Sequence, residues 1–340
     1  MKEIIKMNKI FKYIFILVIV LFGNQASALT LSPIRFELSG DPGSTINEQI
    51  TLTNETQGAV TYYSSFTNFE AQGETGNPNF VDPVDGLGTW MKIDESITLE
   101  PGDTKTIPLT INIPANAEPG GHFAVVFFGT LPKAENGQVG IGANTGVLVL
   151  LSVNGDVKEG GGLAGFKVKN DQFWFNTLPV SFEYRFRNDG NDRIKPDGDI
   201  RILNSFFIKS KTLDGNPVDG NILPNSTRKF DATWVNHPRS ADYVPNPSFF
   251  TRYTDDVVYQ WKNFAFGFYT AKINLSYGTK GMTASGSDTF FVFPWQLLIV
   301  IFIVLVIVIW GGRKMIQSYN RYVIEKAKEM MEHERSPDAK

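Results

Sequence analysis

The side chains best suited to catalysis or metal binding are few and lie far apart along the chain. The three histidines are His122, His237 and His333, and the chain contains no cysteine. Histidines at this spacing form neither a metal-ligand pattern nor a base beside a nucleophile. The lack of cysteine excludes a thiolate metal site, a disulfide and a cysteine nucleophile. We therefore expect no catalytic residue, no metal site and no cofactor, which indicates a protein that is not an enzyme.

One group of oxygen-bearing side chains is dense enough to consider as a calcium site. Its members are Asn188, Asp189, Asn191, Asp192, Asp197 and Asp199. Carboxylate and amide oxygens are the ligands that Ca²⁺ prefers, but the twelve-residue calcium-loop pattern is missing here. An Asn-Asp-Gly-Asn run is also what a tight hairpin turn requires. The sequence therefore predicts a turn at this place.

Alternating apolar residues indicate the elements that must position any site. Two runs are clear, one with Ile107, Leu109, Ile111 and Ile113 and one with Val180, Phe182, Tyr184 and Phe186. A period of two with one apolar face is typical of a strand in an antiparallel sheet. Turn signals such as Pro101-Gly102-Asp103 recur between such runs. We predict an all-β ectodomain of two tandem Ig-like β-sandwiches, at 29–155 and 160–290, joined by a short glycine-rich linker.

The first of two hydrophobic segments predicts export. Four lysines precede the apolar run Ile14–Phe22, and Ala26-Ser27-Ala28 follows it. A basic stretch, a short apolar run and a small-residue site are typical of a secretory signal peptide, which we assign to residues 1–28. An uncleaved signal anchor is the alternative, although the run is short for a membrane span.

The second hydrophobic segment predicts a membrane anchor. Residues 291–310 are apolar apart from Gln296, and 20 residues are enough to cross a bilayer core of ~30 Å. Trp295 and Trp310 lie near its two ends, where interfacial aromatic residues are common, and Arg313 and Lys314 follow directly. Positive charge after the span predicts a cytoplasmic tail at 311–340. The chain is thus expected in the cell membrane as a single-pass type I protein with its ectodomain outside.

The distribution of charge argues against a polyanionic partner. The chain has a formal net charge of −3, and the predicted ectodomain carries 21 basic and 29 acidic residues, a net charge of −8. Nucleic-acid-binding proteins usually carry a basic excess. We therefore expect no nucleic-acid partner. In the tail, charges at helical spacing predict a solvated helix or a docking helix for a cytoplasmic protein.

One long segment, 236–263, has no clean strand pattern except near Val257–Trp261. It contains three prolines and six aromatic residues: Tyr243, Phe249, Phe250, Tyr253, Tyr259 and Trp261. A long loop in a compact sandwich is often functional. Because the last predicted strands run toward the membrane, we expect this loop near the lipid headgroups, where aromatic rings are favoured. Two alternatives are that its rings cap the core of the second domain, or that they bind a partner or a glycan.

The order of turns and strands in the first domain resembles a bacterial family. Four stretches carry the resemblance: Leu31-Ser32-Pro33, Leu52-Thr53-Asn54, Leu99–Asp103 and Ala117–Phe123. They are similar to the peptidoglycan-binding N-terminal domain of WxL-interacting proteins. That family also has a signal peptide, a second Ig-like domain, one C-terminal span and a basic tail. The resemblance implies that the first domain binds peptidoglycan or a wall-associated protein.

A second resemblance uses some of the same residues. The run Ser32–Phe36, followed by Leu52-Thr53-Asn54, is similar to the first strands of periplasmic pilus chaperones. Arg35 then matches the arginine that holds the terminal carboxylate of a client subunit. Those chaperones also use a lysine in the last strand of their first domain, and the corresponding run Gly146–Val153 has none. This resemblance implies a chaperone-like or surface-assembly accessory protein.

The sequence therefore predicts a membrane-anchored bacterial cell-surface protein that binds a cell-envelope polymer or a surface protein. The lipid bilayer is its other expected partner. A sheet face or an edge strand is the expected docking surface, by strand addition or by complementary shape. In the first domain, Phe123–Phe128 and Thr145–Leu151 are the candidate edge segments.

Overall fold

A computed structural model describes residues 29–131, 144–245 and 247–334, so the predicted signal peptide lies outside the described residues. Contacts between Cα atoms divide the chain into two compact units. Unit 1 contains the described residues up to Gly161 together with Arg187–Ile194 and Asn221–Arg228. Unit 2 contains Gly162–Phe186, Lys195–Gly220 and the chain from Lys229 onward.

Unit 1 is built from two sheets. Its elements are β1 (Leu29–Ser32), β2 (Arg35–Gly40), β3 (Thr45–Asn54), β4 (Val60–Gln72), β5 (Asn77–Val81), α1 (Leu87–Trp90), β6 (Met91–Lys92), β7 (Ser96–Leu99), β8 (Thr104–Asn112), β9 (Gly120–Gly129) and β10 (Asn144–Val153). One sheet has the order β1-β3-β8-β6, and the other has the order β2-β10-β9-β4-β5, with β7 also paired to β4. The pairing of β2 with β10 is parallel.

The core of unit 1 lies between these two sheets. Ile107, Leu109 and Ile111 of β8 are fully buried, as the alternation predicts. They share one apolar cluster with Val147 and Val149 of β10. Because successive side chains of a strand point to opposite faces, the residues between these buried ones face outward.

The remaining strands form two further sheets. They are β11 (Gly161–Val168), β12 (Trp174–Phe175), β13 (Val180–Asn188), β14 (Asp197–Asn204), β15 (Lys209–Asp214), β16 (Ser226–Trp234), β17 (Gly267–Tyr277) and β18 (Met282–Val292), with a 3-10 turn at Lys169–Asp171. The sheet orders are β11-β13-β16 and β12-β18-β17-β14-β15. The predicted run of β13, from Val180 to Phe186, buries its alternate side chains completely.

Two longer helices complete unit 2, α2 (Phe249–Lys262) and α3 (Trp295–Glu334). Helix α3 is apolar and long enough to cross a membrane. The prediction of an all-β chain of Ig-like sandwiches followed by one apolar helix is confirmed. The predicted span begins too early, however, because Phe291 and Val292 belong to β18 and pair with Phe268 and Gly267. The helix begins at Trp295.

The predicted loop at 236–263 is half helical, and the run Val257–Trp261, which looked strand-like, belongs to the helix. Its prolines are confined to residues 238–247, and Ser248 precedes the first turn of α2. Beyond that point Tyr253, Asp256, Val257 and Gln260 recur at helical spacing and form the less exposed face. The three prolines in its first half indicated a loop for the whole segment and so obscured this period.

Candidate functional site: an apolar sheet face with an open edge

The sheet of unit 1 that contains β9 and β10 is apolar on its outward side. Val125 lies opposite Leu148, and Phe123 lies opposite Leu150. Phe127 extends this row along β9. The face continues onto β4 and β5, where the ring centroids of Phe69 and Phe123 are 5.9 Å apart and those of Phe80 and Phe127 are 5.2 Å apart. We call this set the outer apolar face: Phe69, Phe80, Phe123, Val125, Phe127, Leu148 and Leu150.

This face is accessible in part. Val125 and Leu150 are buried, Phe123 and Phe127 are half-buried, and Phe80 is 47% exposed. A sandwich needs only its inward side chains to form a core, and a sheet with one solvated side normally alternates apolar and polar residues. Phe69, Val125 and Leu150 are covered within unit 1, where Phe69 and Leu150 line a cavity with Asn221, so the accessible part of the face is the part that carries Phe80, Phe123 and Phe127.

Of the two predicted edge segments, Phe123–Phe128 lies inside the sheet, which corrects that expectation, whereas Thr145–Leu151 has a neighbour on both sides only from Leu148 onward. Strand β9 pairs with β10 on one side and with β4 on the other. Strand β10 pairs with β9 over its full length, and β2 covers its other side from Leu148 onward. Short apolar runs do not reveal how many neighbours a strand has, because interior and edge strands share the same alternation.

One part of β10 nevertheless has an open side. The ladder with β2 starts at Leu148, whose N–H donates to the carbonyl oxygen of Ile34 at 3.1 Å. Among the described residues, no strand pairs with Asn144–Val147 on that side. Backbone groups alternate in direction along a strand, so the amides of Asn144 and Gly146 point the same way as that of Leu148. We call Asn144–Val147 the open segment of β10.

Arg35 lies at the end of this open segment. It is the first residue of β2 and is in register with Leu148. Its Nε lies 3.0 Å from Oε1 of Glu37, which shares its side of the strand, and its side chain is 30% exposed. The candidate client-binding residue therefore stands where an added strand on β10 would meet β2.

A small cavity adjoins Arg35 within unit 1. Its volume is about 90 Å³, and its lining includes Phe69, Leu148, Asn221 and Arg228 as well as Arg35. The Nδ2 of Asn221 donates to Glu37 at 2.8 Å, and Nη1 of Arg228 donates to the carbonyl oxygen of Asn221 at 2.8 Å. The Oδ1 of Asn221 is buried and has no hydrogen-bond partner among the described residues. The side chains of Arg35 and Arg228 thus line the same cavity.

Arg228 is a residue that the sequence analysis missed. The pilus-chaperone resemblance leads one to look for a second cation in β10, where none exists. Here the second cation comes from a segment almost 80 residues further along the chain. Gly76 permits its approach, because a Cβ at that position would lie 2.4 Å from the guanidinium carbon of Arg228. No local motif around Arg228 predicts that it lines the same cavity as Arg35.

The six aromatic residues of the predicted loop separate into two groups in unit 2. Phe249, Phe250 and Trp261 are exposed on α2, whereas Tyr253 and Tyr259 are half-buried. Tyr243 precedes the helix.

Tyr243 and Tyr259 both contact one arginine. The guanidinium carbon of Arg239 lies 4.1 Å from the ring centre of Tyr243 and 4.2 Å from that of Tyr259, and Nη2 donates to Asp256 at 2.8 Å. Burial acts to lower the pKa of Arg239, but the hydrogen bond with Asp256 and the neighbouring Tyr243 raise it. This charged cluster holds the chain before α2 against the helix.

The predicted anchor residues all lie on α3. Trp295 starts the helix, and Nζ of Lys314 lies 4.5 Å from the ring centre of Trp310. The apolar side chains from Phe302 to Trp310 are about half to two-thirds exposed. A long apolar helix with exposed apolar side chains fits a single-pass membrane anchor. Arg313 continues the same helix beyond the apolar part.

The acidic group around Asn188 forms turns. Nδ2 of Asn188 donates to the carbonyl oxygens of Asp192 and Ile222, and its Oδ1 accepts the N–H of Gly190 at 2.9 Å. Asp192 also accepts a hydrogen bond from the hydroxyl of Ser152. Within the described residues, His, Asp and Glu side chains form no group of three or more that suits a metal ion.

Comparison with known proteins gives only remote likenesses. No protein-family model matches the chain, and no curated protein matches it. Among solved structures, the class 5 fimbriae chaperone CfaA is similar at 14% identity and a TM-score of 0.36, covering 77% of this chain and 99% of its own. The Escherichia coli chaperone DraB is similar at 9% identity and a TM-score of 0.33, covering 78% and 97%. A Porphyromonas gingivalis protein of unknown function is similar at 12% identity and a TM-score of 0.26, covering 78% and 97%.

Proposed function

We propose that this chain is a membrane-anchored, non-catalytic protein that binds an extended segment of another protein on unit 1. The observation that carries the proposal is the open segment of β10, which ends beside Arg35. An open strand offers a repeating row of backbone donors and acceptors, and an extended peptide is the partner whose own backbone matches that row. This function corresponds to the chaperone-like or assembly role rather than to peptidoglycan binding.

The position of Arg35 favours one direction for the added segment. A segment that runs parallel to β10 along Asn144–Val147 ends at the level of Leu148, next to Arg35. A terminal carboxylate at that place would lie near Arg35, which lines one cavity together with Arg228. Charge-assisted hydrogen bonds from a guanidinium to a carboxylate are about twice as strong as neutral ones. We therefore propose that the ligand is a C-terminal segment with a free carboxylate.

The outer apolar face supplies the remaining contacts. Alternate side chains of an added strand would lie on the same side as Leu148 and Phe127. We thus expect the ligand to carry apolar residues at every second position. In this arrangement, the two units are exported and the basic residues that follow the span remain in the cytoplasm.

The test uses the full chain in detergent and a displayed library of random peptides that end in a free carboxylate. A selected peptide is synthesised with a free and with an amidated C-terminus, and fluorescence anisotropy gives the Kd of each. We expect amidation to weaken binding about tenfold, equivalent to about 1.4 kcal/mol. Arg35→Ala should weaken the free peptide by a similar factor and leave the amidated peptide unchanged.

A matched pair of variants tests strand addition itself. Asn144→Ala keeps the backbone N–H that points to the open side, whereas Asn144→Pro removes it. Only the proline variant should lose binding, and hydrogen exchange at Gly146 should slow when wild-type protein binds the peptide. Failure to select any peptide would refute the proposal. So would sedimentation with insoluble peptidoglycan that neither peptide nor Asn144→Pro reduces, since that result favours a wall polymer.

A further inference from the structure

The end of unit 2 from which α3 leaves carries exposed aromatic residues on three separate segments. The strand registers place these segments at one level. Asn204 pairs with Tyr269, Tyr269 pairs with Phe290, and Phe175 pairs with Val292. Helix α3 begins three residues after Val292. The opposite end of the same sheet, at the turn between Tyr277 and Met282, carries Thr279 and Lys280 instead.

The first segment is the turn between β14 and β15. Phe206, Phe207 and Ile208 are 81%, 74% and 63% exposed. The turn is held in shape by Asn204, whose Oδ1 accepts the N–H groups of Phe206 and Ile208 at 3.0 Å each. Three consecutive apolar residues are therefore presented to the outside on a fixed turn, and they add nothing to the core of the sandwich.

The second segment is one side of α2. Phe250, Val258 and Trp261 are spaced so that they follow one stripe of the helix, and each is more than half exposed. The neighbouring face, which carries Tyr253 and Gln260, packs against the start of α3. Asp255 and Lys262 lie on the remaining polar face, so the stripe is flanked by charge on one side only.

Buried hydrogen bonds fix α2 to the first turn of α3. The Oε1 of Gln260 accepts the N–H of Leu297 at 2.9 Å, which satisfies one of the amides that a helix start leaves without an internal partner. The side-chain amides of Gln260 and Gln296 also bond to each other, and both residues are buried. Gln296, the single polar residue of the apolar segment, thus has a hydrogen-bond partner. The same bonds fix the orientation of α2, and therefore of its exposed apolar side, relative to α3.

The third segment is the end of the sheet itself. Trp174 packs on Phe291 and Phe293, with ring centroids 4.8 and 5.7 Å apart, and Phe268 packs on Phe291 at 4.6 Å. Trp174 and Phe268 are still more than half exposed. This row of rings leads directly to Trp295 at the start of α3.

We propose that this end of unit 2 is seated in the interfacial layer of the bilayer that α3 enters, with Phe207, Trp261 and Trp174 among the lipid headgroups. All three segments lie at the end of unit 2 from which the apolar helix begins, so the exposed rings are continuous with the expected membrane anchor. Aromatic side chains are favoured at this depth of a membrane. This placement in the interfacial layer restrains tilting of unit 2 about the helix, and it does not depend on what unit 1 binds.

The absence of cysteine from the sequence allows a direct test on the full chain. Single substitutions Phe207→Cys, Trp261→Cys and Trp174→Cys carry a spin label in nanodiscs of phosphatidylcholine and phosphatidylglycerol, with one chain per disc. The controls are Asp255→Cys on the polar face of α2 and Lys280→Cys at the opposite end of the sheet. Collision rates with a water-soluble nickel chelate and with oxygen report the depth of each label.

We expect several-fold fewer collisions with the chelate at the three aromatic positions than at the two controls, together with more collisions with oxygen. Equal access of the chelate to positions 207, 261 and 280 would overturn the proposal. Protection that appears only when two chains occupy one disc would also overturn it, because a second copy rather than lipid would then cover the surface. Three independent positions keep the test decisive if one variant fails to fold.

Discussion

The two units differ in the side chains that face outward from their strands. Inward side chains are apolar both in β9 and β10 of unit 1 and in β13 of unit 2, but outward side chains are apolar in unit 1 and charged in unit 2. In β13, the outward residues include Glu183, which lies 3.5 to 3.9 Å from Arg185, Lys167 and Lys229. In β9 and β10, the outward residues are Phe123, Val125, Phe127, Leu148 and Leu150. Both inward sides bury a full apolar row. The difference shows that strands of this fold do not need an apolar outer side. In unit 1 part of that side, at Phe69 and Leu150, lines a cavity together with Asn221 and Leu223, and the exposed remainder is where we propose that the peptide binds.

The largest expected effects come from the inward sides, where the two units should behave alike. Phe128→Ala in unit 1 and Phe182→Ala in unit 2 remove rings that are almost completely buried. Each should lower the free energy of unfolding by about 3–5 kcal/mol. Denaturant unfolding of the chain in detergent measures this loss, with Lys105→Ala and Lys272→Ala as exposed controls. A large loss in one unit only would contradict the expectation that the two buried cores contribute alike to stability.

The next effect concerns one buried amide in each unit. In unit 1, Nδ2 of Asn54 donates to the carbonyl oxygens of Gly58, Leu99 and Glu100. In unit 2, Asn216 bonds in the same manner to Pro196 and Gly220. Replacement by alanine leaves buried carbonyl groups without a donor, which costs about 1–3 kcal/mol.

Unfolding of Asn54→Ala and Asn216→Ala, compared with the exposed Asn47→Ala, measures this cost. We expect Asn54→Ala to be the more damaging of the two, because three carbonyl groups lose a donor rather than two. The reverse order would mean that the turn after Asn54 relaxes once the amide is removed.

A smaller effect, on peptide binding, should distinguish the outer apolar face of unit 1 from the charged outward side of β13 in unit 2. Phe127→Ser should weaken binding of a selected C-terminal peptide about tenfold, or about 1.4 kcal/mol, because it removes a ring from the outer apolar face. Arg185→Ser on β13 should leave the peptide Kd unchanged. Fluorescence anisotropy on the full chain gives both values. If both substitutions weaken binding equally, the outer apolar face has no special role.

The smallest effect is a loss of stability at high pH, in which the two units should again agree. Burial raises the pKa of Tyr62 in unit 1, and burial also raises the pKa of Tyr269 in unit 2 despite a hydrogen bond from the N–H of Phe266. A raised pKa means that the folded state holds the phenol proton more tightly. The stabilisation is therefore complete below the unfolded pKa of about 10 and is lost as pH rises through the folded pKa.

Unfolding measured from neutral pH to above pH 10 should show this decline. Tyr62→Phe and Tyr269→Phe should each make the decline shallower, and the double variant should be the least sensitive to pH. An unchanged slope in either variant would exclude that tyrosine as a source of the pH dependence.

The elements that rely on local alternation were predictable. The buried rows of β8 and β13 follow directly from residues at every second position, and the apolar helix follows from composition and length. Helix α2 was missed because its period is carried by a few residues that follow three prolines. The open side of β10 was predicted only in part, since Thr145–Leu151 was expected to be an edge segment and only its residues before Leu148 are open. An alternating run has the same appearance with one neighbouring strand or with two.

The order of residues alone predicts that the chain is built from β-strands, which side of most strands is buried, and that one apolar helix follows them. These properties depend on residues within a few positions of one another. Three features instead depend on tertiary packing: β2 leaves four residues of β10 open, Arg228 and Arg35 line one cavity, and Gln260 accepts a hydrogen bond from the first turn of α3. Each of these contacts joins residues that are distant in the chain, and their approach depends on how whole sheets and helices pack.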